Sequence, residues 1–311
     1  MFKENKIPSF VSYKLLIIIL SFVIGFLNPA IFSRIFNQTT FAALLLTSGL
    51  LSYLAFLDAG FGKPLYTIMR EYFIKKNNKL KSSISFSIIF YILVSILTIL
   101  VSSIFAFFVF NFLKPDINMY SFIFFAIGLS TNIATNNFRH IFQAIDRYVF
   151  FEKILFLKRL FNLFALSFFL LPNGIIYFSI SLICLNIFLT LFFVYKLNQI
   201  FQINFSNLID YTSHHFWFKK IQSNALFFFF ITVLEVFYYN YGFIYFSSLE
   251  FSDGDIVKYS LFNKIYLSIV LFARIPADIS IHLASDYFHN KNIIKFRKTV
   301  IRTLFYSIPI S

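Results

Sequence analysis

Long apolar runs with few charges are the feature that most constrains how this chain can fold. A helix that crosses the hydrocarbon of a bilayer needs about 20 apolar residues, each with a rise of about 1.5 Å. Runs of this length recur between charges and turn residues. They predict eight membrane-crossing helices, at residues 14–35, 40–69, 84–113, 120–143, 151–171, 175–196, 225–247 and 256–284.

The composition agrees with a membrane protein and excludes several other classes. Hydrophobic residues make up 59% of the 311 positions and charged residues only 13%, whereas about a quarter of the residues in a soluble domain are charged. This hydrophobicity excludes a disordered chain, and the single cysteine, Cys184, excludes a disulfide-stapled secreted module. The net charge of +14 does not indicate a nucleic-acid partner, because the basic residues lie between the apolar runs and do not cluster on a soluble face.

The connections divide the predicted bundle into two parts. The turns at 114–116 and 172–174 contain Pro or Gly and are too short to hold a domain. The longest connection, 197–224, is polar with interspersed aromatic residues, which favours an amphipathic segment at the membrane surface over a plain solvated linker. We therefore predict a first lobe of six transmembrane helices (1–196), a cytoplasmic amphipathic linker (197–224) and a partial second lobe (225–311).

The basic residues predict the orientation of these helices, since cytoplasmic connections collect Lys and Arg. Of the 27 basic residues, 21 fall on the side that holds the N-terminus and three on the other side. The remaining three, Lys63, Lys264 and Arg274, lie inside predicted helices. The imbalance predicts a cytoplasmic N-terminus. The first span is too long for a cleaved signal peptide and is expected to remain as an anchor.

Charges inside predicted spans mark cavities, partners or the membrane interface, since a charged side chain in hydrocarbon costs about 2.5–3.5 kcal/mol. In the eighth span, Lys264, Arg274 and Asp278 fall within an arc of about 80° at about 100° per residue. Pro276 is expected to kink this helix, as happens beside transporter substrate sites. The polar face can line a cavity, or Arg274 and Asp278 can neutralise each other at i and i+4.

Three further spans carry polar groups. Asp58 and Lys63 accompany two glycines and a proline at the end of the second span, where we expect a bend near the cytoplasmic leaflet. Glu235, near mid-depth in the seventh span, can carry a coupling proton or hold a static hydrogen bond. Lys158 and Arg159 precede only twelve mostly apolar residues, so one is expected to snorkel and the other to face inward.

No motif indicates a soluble catalytic site. The sequence holds no Gly-rich phosphate loop, no HExxH and no GxSxG, and the adjacent His214 and His215 do not have the spacing of metal ligands. The 50 phenylalanines are expected to face lipid or to pack helices. We therefore expect no enzyme activity, no catalytic residue, no bound metal and no cofactor.

Two stretches resemble a known transporter family. The first is PAIFSR at 29–34, followed after a short loop by a helix that ends in LDAGFG at 57–62 and then by Arg70. The second is VKYSLFNKI at 257–265, which leads to Ile-Pro at 275–276. They resemble the polysaccharide biosynthesis flippases of the Wzx type, in the multidrug/oligosaccharidyl-lipid/polysaccharide exporter superfamily. The likeness covers essentially the whole chain, and its motifs are loose and mostly structural.

The resemblance implies a fold, an activity and a set of site residues. The fold is an all-α membrane bundle of two six-helix lobes around a central cavity. The activity is the passage of an undecaprenyl-diphosphate-linked oligosaccharide repeat unit to the outer leaflet of a bacterial inner membrane, for O-antigen and lipopolysaccharide synthesis. The partners are membrane lipids, a proton or sodium ion as coupling cation, and other polysaccharide-assembly proteins. The substrate-binding candidates are Arg34, Lys63, Lys264 and Arg274, of which Arg34 and Lys264 lie in the matching stretches. The charges inside the spans, and not the resemblance, give the gating or coupling candidates Asp58, Glu235 and Asp278.

Two features depart from the family pattern. The seventh helix of the family often carries an aspartate, where this chain has Glu235 and Asn240. A ninth helix is predicted to begin at Arg302 and the chain stops at Ser311, so we expect a C-terminally truncated transporter with an incomplete second lobe. The alternatives are a cation-coupled drug exporter, a membrane polysaccharide polymerase or glycosyltransferase, and a non-transporting scaffold. The outer connection at 248–255 is short for an enzyme of that kind.

Overall fold

The computed structural model describes residues 7–58, 60–203, 211–248 and 253–307, and all regular structure in these ranges is helical. The predicted all-α class is therefore confirmed for the described part of the chain. In chain order the α-helices are α1 (Ile7–Ile35), α2 (Gln38–Leu50), α3 (Gly62–Ile74), α4 (Lys79–Leu113), α5 (Met119–Asn137), α6 (Arg139–Ala144), α7 (Tyr148–Ala165), α8 (Gly174–Phe201), α9 (Tyr211–Ser248), α10 (Asp253–His289) and α11 (Ile293–Ser307). Two 3-10 segments, Leu51–Asp58 and Leu166–Leu170, follow α2 and α7.

Three of the described helices are long and apolar enough to cross a membrane. They are Pro8–Ile35 in α1, Lys79–Leu113 (α4) and Gly174–Phe201 (α8). In α4 the side chains of Leu93, Ile104 and Phe108 are exposed, as expected of an apolar helix whose partner is lipid. The chain is therefore a membrane protein, while the total of eight crossings, their orientation and the lobe boundaries stay predictions.

The second predicted span is interrupted where the sequence predicts a bend. The 3-10 segment after α2 ends at Asp58, and α3 begins at Gly62. Gly60 has a φ of 73°, a left-handed conformation that favours glycine. A Cβ atom added to Gly60 would overlap the backbone of α9 at Ala225 and Phe229. Helix α9 therefore packs directly against the bend.

The fourth predicted span is also divided, although no glycine or proline occurs near the division. Helix α5 ends at Asn137 and α6 begins at Arg139. The residue between them, Phe138, is buried, and its ring centroid lies 5.8 Å from that of Phe193 and 6.3 Å from that of Tyr91. Packing of Phe138 against α4 and α8 accompanies this break, so local sequence signals could not predict it.

Helix packing brings α10 against the first predicted lobe. Helix α5 packs between α4 and α8, and α1 lies against both α7 and α10. Helix α2 also contacts α10. Between the helices, Phe142, Phe151 and Phe193 form a cluster with ring centroids 5.2–5.7 Å apart, within the range of favourable aromatic contacts. The two predicted lobes therefore meet where α10 packs on α1 and α2, and where α9 packs on the bend before α3.

The start of α9 falls in the predicted amphipathic linker. Trp217, Ile221 and Ala225 are buried at a spacing of four residues, while Phe216 is exposed. Trp217 Nε1 donates a 3.0 Å hydrogen bond to Ser82 Oγ in α4. Apart from Gln202 and Ile203, the linker residues that the structure describes are thus helical and continuous with α8 or α9. The buried face of α9 packs on α3 and α4.

A buried arginine joins three parts of the fold. Arg70, in α3, donates to Asp286 Oδ1 through Nε at 3.0 Å and also through Nη2. Its Nη1 donates to Asp146 Oδ1 at 2.8 Å and to the Ala144 carbonyl oxygen at 3.0 Å. Burial alone would lower the pKa of Arg70, but Asp146 and Asp286 raise it above its ordinary value. We name Arg70, Asp146 and Asp286 the arginine clamp; it holds together α3, the α6–α7 turn and α10.

Removal of one carboxylate from the arginine clamp should destabilise the protein. Asp286→Asn removes the carboxylate that accepts two hydrogen bonds from the buried guanidinium of Arg70 and leaves Asp146 as its described counter-ion. Hydrogen bonds to charged groups contribute about 1.5–3 kcal/mol each. We expect a clear fall in the midpoint of thermal unfolding of the purified chain in detergent, followed by intrinsic fluorescence.

The matched control for this variant is Glu71→Gln. Glu71 pairs with Lys75 at 2.6 Å on the exposed side of the same helix, and such pairs contribute about 0.3–0.5 kcal/mol. Its midpoint of unfolding should stay close to that of the wild type. Equal midpoints for Asp286→Asn and Glu71→Gln would show that the arginine clamp does not stabilise the fold.

Candidate functional site

A polar cavity of about 400 Å³ lies between α1, α5, α6, α7 and α10. Charges inside a membrane bundle normally face a cavity, a partner or the interface. We name this cavity the cationic cavity, because four basic residues and one acidic residue line it: Lys14, Arg139, Lys158, Arg159 and Glu152. The polar side chains of Ser21, Asn132 and Asn136 complete the hydrophilic part of the lining.

Helix α7 supplies three of these charges because its buried face carries polar residues beside apolar ones such as Phe151 and Leu155. Glu152, Lys158 and Asn162 are buried, with exposures of 0%, 4% and 7%. On the opposite side of the helix, Leu157 and Phe164 are 50% and 73% exposed. A helix of a soluble protein buries its apolar side. Helix α7 instead buries these three polar residues and leaves apolar side chains exposed on the opposite side.

Lys158 extends from α7 into a hydrogen-bond network between α5 and α8. Its Nζ donates to Thr135 Oγ1, which lies 3.2 Å from Asn186 Oδ1. Asn186 Nδ2 donates to Thr131 Oγ1 at 3.0 Å. Among the residues that the structure describes, no carboxylate forms an ion pair with Lys158 or Arg159. Neutral dipoles, and not a counter-ion, therefore stabilise the charge of Lys158 within this part of the chain.

Glu152 faces the same cavity from the start of α7. Its Oε1 lies 3.9 Å from Lys14 Nζ and 3.6 Å from Arg139 Nε. Both separations allow electrostatic attraction but are too long for a hydrogen bond. Neither carboxylate oxygen accepts a hydrogen bond from a described residue. The carboxylate of the cationic cavity is therefore fully buried but loosely held.

A second cavity, of about 300 Å³, shares Asn136 with the cationic cavity. Asp58 and Lys63 both line it, so the structure brings together two of the predicted site residues. Asp58 Oδ1 accepts a 2.9 Å hydrogen bond from the N–H of Gly60, and Lys63 Nζ lies 5.3 Å from the centre of the Phe228 ring. The Asp58 carboxylate thus stabilises the bend before α3 while it faces the second cavity.

The other predicted site residues are placed differently. Arg34 is exposed near the end of α1 and lines neither cavity, so the structure does not bring it to the site. Four predicted residues lie in α9 and α10 with side chains outside the described residues: Glu235, Lys264, Arg274 and Asp278. Ile275, the neighbour of Arg274, lines the cationic cavity. The backbone of the predicted polar helix therefore passes beside this cavity.

Part of the cationic cavity could be predicted from the sequence. Lys158 and Arg159 lie too far inside the fifth span for both to reach solvent, and Lys158 does face inward. Lys14, Arg139 and Glu152 lie at predicted span ends, where charges are normal, so the sequence did not single them out. The signal that was present is the placement of Glu152, Lys158 and Asn162 within an arc of about 120° on one face of α7, at about 100° per residue.

The residues of the cationic cavity suit the binding of an anion. Basic side chains in a low-dielectric site attract phosphate or carboxylate groups and form strong charge-assisted hydrogen bonds with them. Within the described ranges, no group of three His, Cys, Asp or Glu side chains could hold a metal ion.

Comparisons of the chain with protein-family models, curated proteins and solved structures find no match. The chemistry of the cavities must therefore support any functional conclusion.

Lys158→Met should raise the stability of the protein and weaken its binding of anions. Methionine keeps the length of the side chain and removes a buried charge that no described carboxylate pairs with. We expect a higher midpoint of thermal unfolding in detergent. We also expect at least about tenfold weaker binding of inorganic diphosphate, since one charge-assisted hydrogen bond contributes about 1.5–3 kcal/mol. Microscale thermophoresis measures this affinity.

The control for Lys158→Met is Lys153→Met. Lys153 is exposed on the same helix, so its loss should leave both the unfolding midpoint and the affinity for diphosphate unchanged. A lower midpoint for Lys158→Met than for the control would instead assign Lys158 a structural role.

Proposed function

We propose that this protein moves an undecaprenyl-diphosphate-linked oligosaccharide repeat unit from the cytoplasmic to the outer leaflet by alternating access. It acts in a bacterial inner membrane as a flippase of the Wzx type, in the synthesis of a surface polysaccharide such as O-antigen or lipopolysaccharide. In this proposal eight helices cross the membrane from a cytoplasmic N-terminus. The first six form one lobe (1–196), and the second lobe follows the linker (197–224).

The observation that carries this proposal is the charge of the cationic cavity. A diphosphate group must leave the layer of lipid head groups to cross the bilayer, which is costly without a cationic partner. Lys158 and Arg159 are basic groups to which no described carboxylate is paired, and ammonium and guanidinium groups bind phosphate oxygens strongly. The drug-exporter alternative requires acidic groups, whereas four of the five described charged residues that line this cavity are basic.

The position of the cationic cavity also supports a transporter. It lies where α1, α5 and α7 of the first predicted lobe face α10 of the second. Substrate sites of transporters commonly lie at such interfaces, where rocking of one part against the other exposes the site to each side in turn. The arginine clamp joins α3 to α10 on the side that we predict to be cytoplasmic. It therefore has to open when the substrate enters from the cytoplasm.

Export of surface polysaccharide tests this proposal. In a bacterial strain that lacks its own flippase, the full chain should restore polysaccharide to the cell surface. The double variant Lys158→Gln/Arg159→Gln should lower the amount of surface polysaccharide at least about tenfold at equal protein level, because it removes two cations from the diphosphate site. Lys153→Gln, which changes an exposed residue of the same helix, should export normally.

Several outcomes of this assay count against the proposal. No restoration by the wild type, or full restoration by Lys158→Gln/Arg159→Gln, would overturn it. Reduced accumulation of cationic dyes without any effect on polysaccharide would favour the drug exporter. Normal export by Lys264→Ala/Arg274→Ala would remove these two residues from the predicted site.

A further inference from the structure

Glu152 places a negative charge in a cavity that the proposed function requires to bind an anion. Its side chain is fully buried, lines the cationic cavity and accepts no hydrogen bond from a described residue. A buried charge without hydrogen bonds is costly, so such a group in a native structure calls for an explanation. Anion binding alone does not explain it, because a carboxylate in the cavity weakens the attraction for a diphosphate.

The arginine clamp shows how the same fold holds a carboxylate for stability. There, Asp146 Oδ1 accepts a 2.8 Å hydrogen bond from Arg70 Nη1. In the cationic cavity, Glu152 Oε1 lies 3.6 Å from Arg139 Nε and 3.9 Å from Lys14 Nζ. The Nε–H of Arg139 also has no hydrogen-bond acceptor among the described residues. Glu152 is therefore placed as an exchangeable counter-ion and not as a fixed structural partner.

We propose that Glu152 is a built-in competitor of the anionic substrate. Its carboxylate interacts with both Lys14 and Arg139, which line the same cavity. When the diphosphate head group of the substrate enters the cavity, it takes over these two cations from Glu152. This inference rests on the proposed flippase function and adds to it the residue that sets the affinity of the site.

The physical reason for such a competitor is that transport needs release as well as binding. A site on a transport path must attract its substrate strongly enough to admit it and weakly enough to let it leave. Four basic groups around a diphosphate, in a low-dielectric cavity, would hold it tightly. Because Glu152 can recover Lys14 and Arg139 when the head group leaves, it lowers the free energy of the released state and speeds release.

The alternative role of Glu152 is structural. Through Lys14 and Arg139 it connects α7 to α1 and α6. The two roles predict opposite effects of Glu152→Gln, which keeps the shape of the side chain and removes its charge. Without a competitor, the cavity should bind a diphosphate about tenfold more tightly, equivalent to about 1.4 kcal/mol. If Glu152 is instead a structural link, its loss should loosen the packing of α1, α6 and α7. Both the affinity for diphosphate and the stability of the protein should then fall.

Diphosphate binding to the purified full chain in lipid nanodiscs separates the two roles. Farnesyl diphosphate is the lipid probe, and inorganic diphosphate tests the head group without a lipid chain. We expect Glu152→Gln to bind farnesyl diphosphate about tenfold more tightly than the wild type does, and Glu152→Asp, whose charge is withdrawn by one methylene, to show a smaller gain. Lys153→Gln, the exposed neighbour on the same helix, should bind as the wild type does. In the export assay, Glu152→Gln should lower surface polysaccharide despite its tighter binding.

The outcomes distinguish failure of this inference from failure of the proposed function. If neither the wild type nor Glu152→Gln binds farnesyl diphosphate, the flippase proposal is overturned. If the wild type binds it and Glu152→Gln binds equally or more weakly, the competitor role is wrong and the flippase proposal stands. Aggregation of both Glu152 variants in size-exclusion chromatography would establish the structural role and overturn the inference. Tighter binding of inorganic diphosphate alone would support the competitor role but point to a free anion instead of a lipid.

Discussion

Charged groups inside an apolar bundle must be paired, hydrogen-bonded or turned toward a cavity, because lipid offers no water to solvate them. Arg70 is paired with Asp146 and Asp286 at hydrogen-bond distance. Lys158 donates a hydrogen bond from its ammonium group to the hydroxyl of Thr135. Glu152 faces the cationic cavity with cations near it but accepts no hydrogen bond from a described residue. The packing of α3, α7 and α10 depends on these three arrangements of buried charge. They differ in how firmly the charged side chain is held by its partners.

The arginine clamp and the cationic cavity share α10. Asp286 belongs to the clamp and Ile275 lines the cavity, and eleven residues of helix separate them by about 16 Å. A helix is stiff over this length, so a movement of α10 that separates Asp286 from Arg70 also moves one wall of the cavity. In the proposed transporter, opening of the clamp would therefore change the shape of the cationic cavity, which is what alternating access requires of a gate.

The fold could be predicted from the sequence where the signal is local. Long apolar runs predict α1, α4 and α8, and the Gly and Pro residues after Asp58 predict the bend at Gly60. The break at Phe138 could not be predicted, because it accompanies the packing of that ring on Tyr91 and Phe193, from helices distant in the sequence. The helical start of α9 within the predicted linker likewise packs on neighbouring helices, α3 and α4.

The sequence by itself determined that the chain is helical and built for a membrane, and that Lys158 and Arg159 could not both reach water. It could not show that Lys14, Arg139 and Glu152 meet Lys158 and Arg159 in one cavity, because a charge at a span end has the same local signature whether it faces head groups or the bundle interior. Only the tertiary structure decided this, by packing α1 against α7 and dividing α5 from α6. The physical reason is that the cost of a buried charge depends on groups from other helices within a few ångströms of it, and the order of residues along the chain does not specify those neighbours.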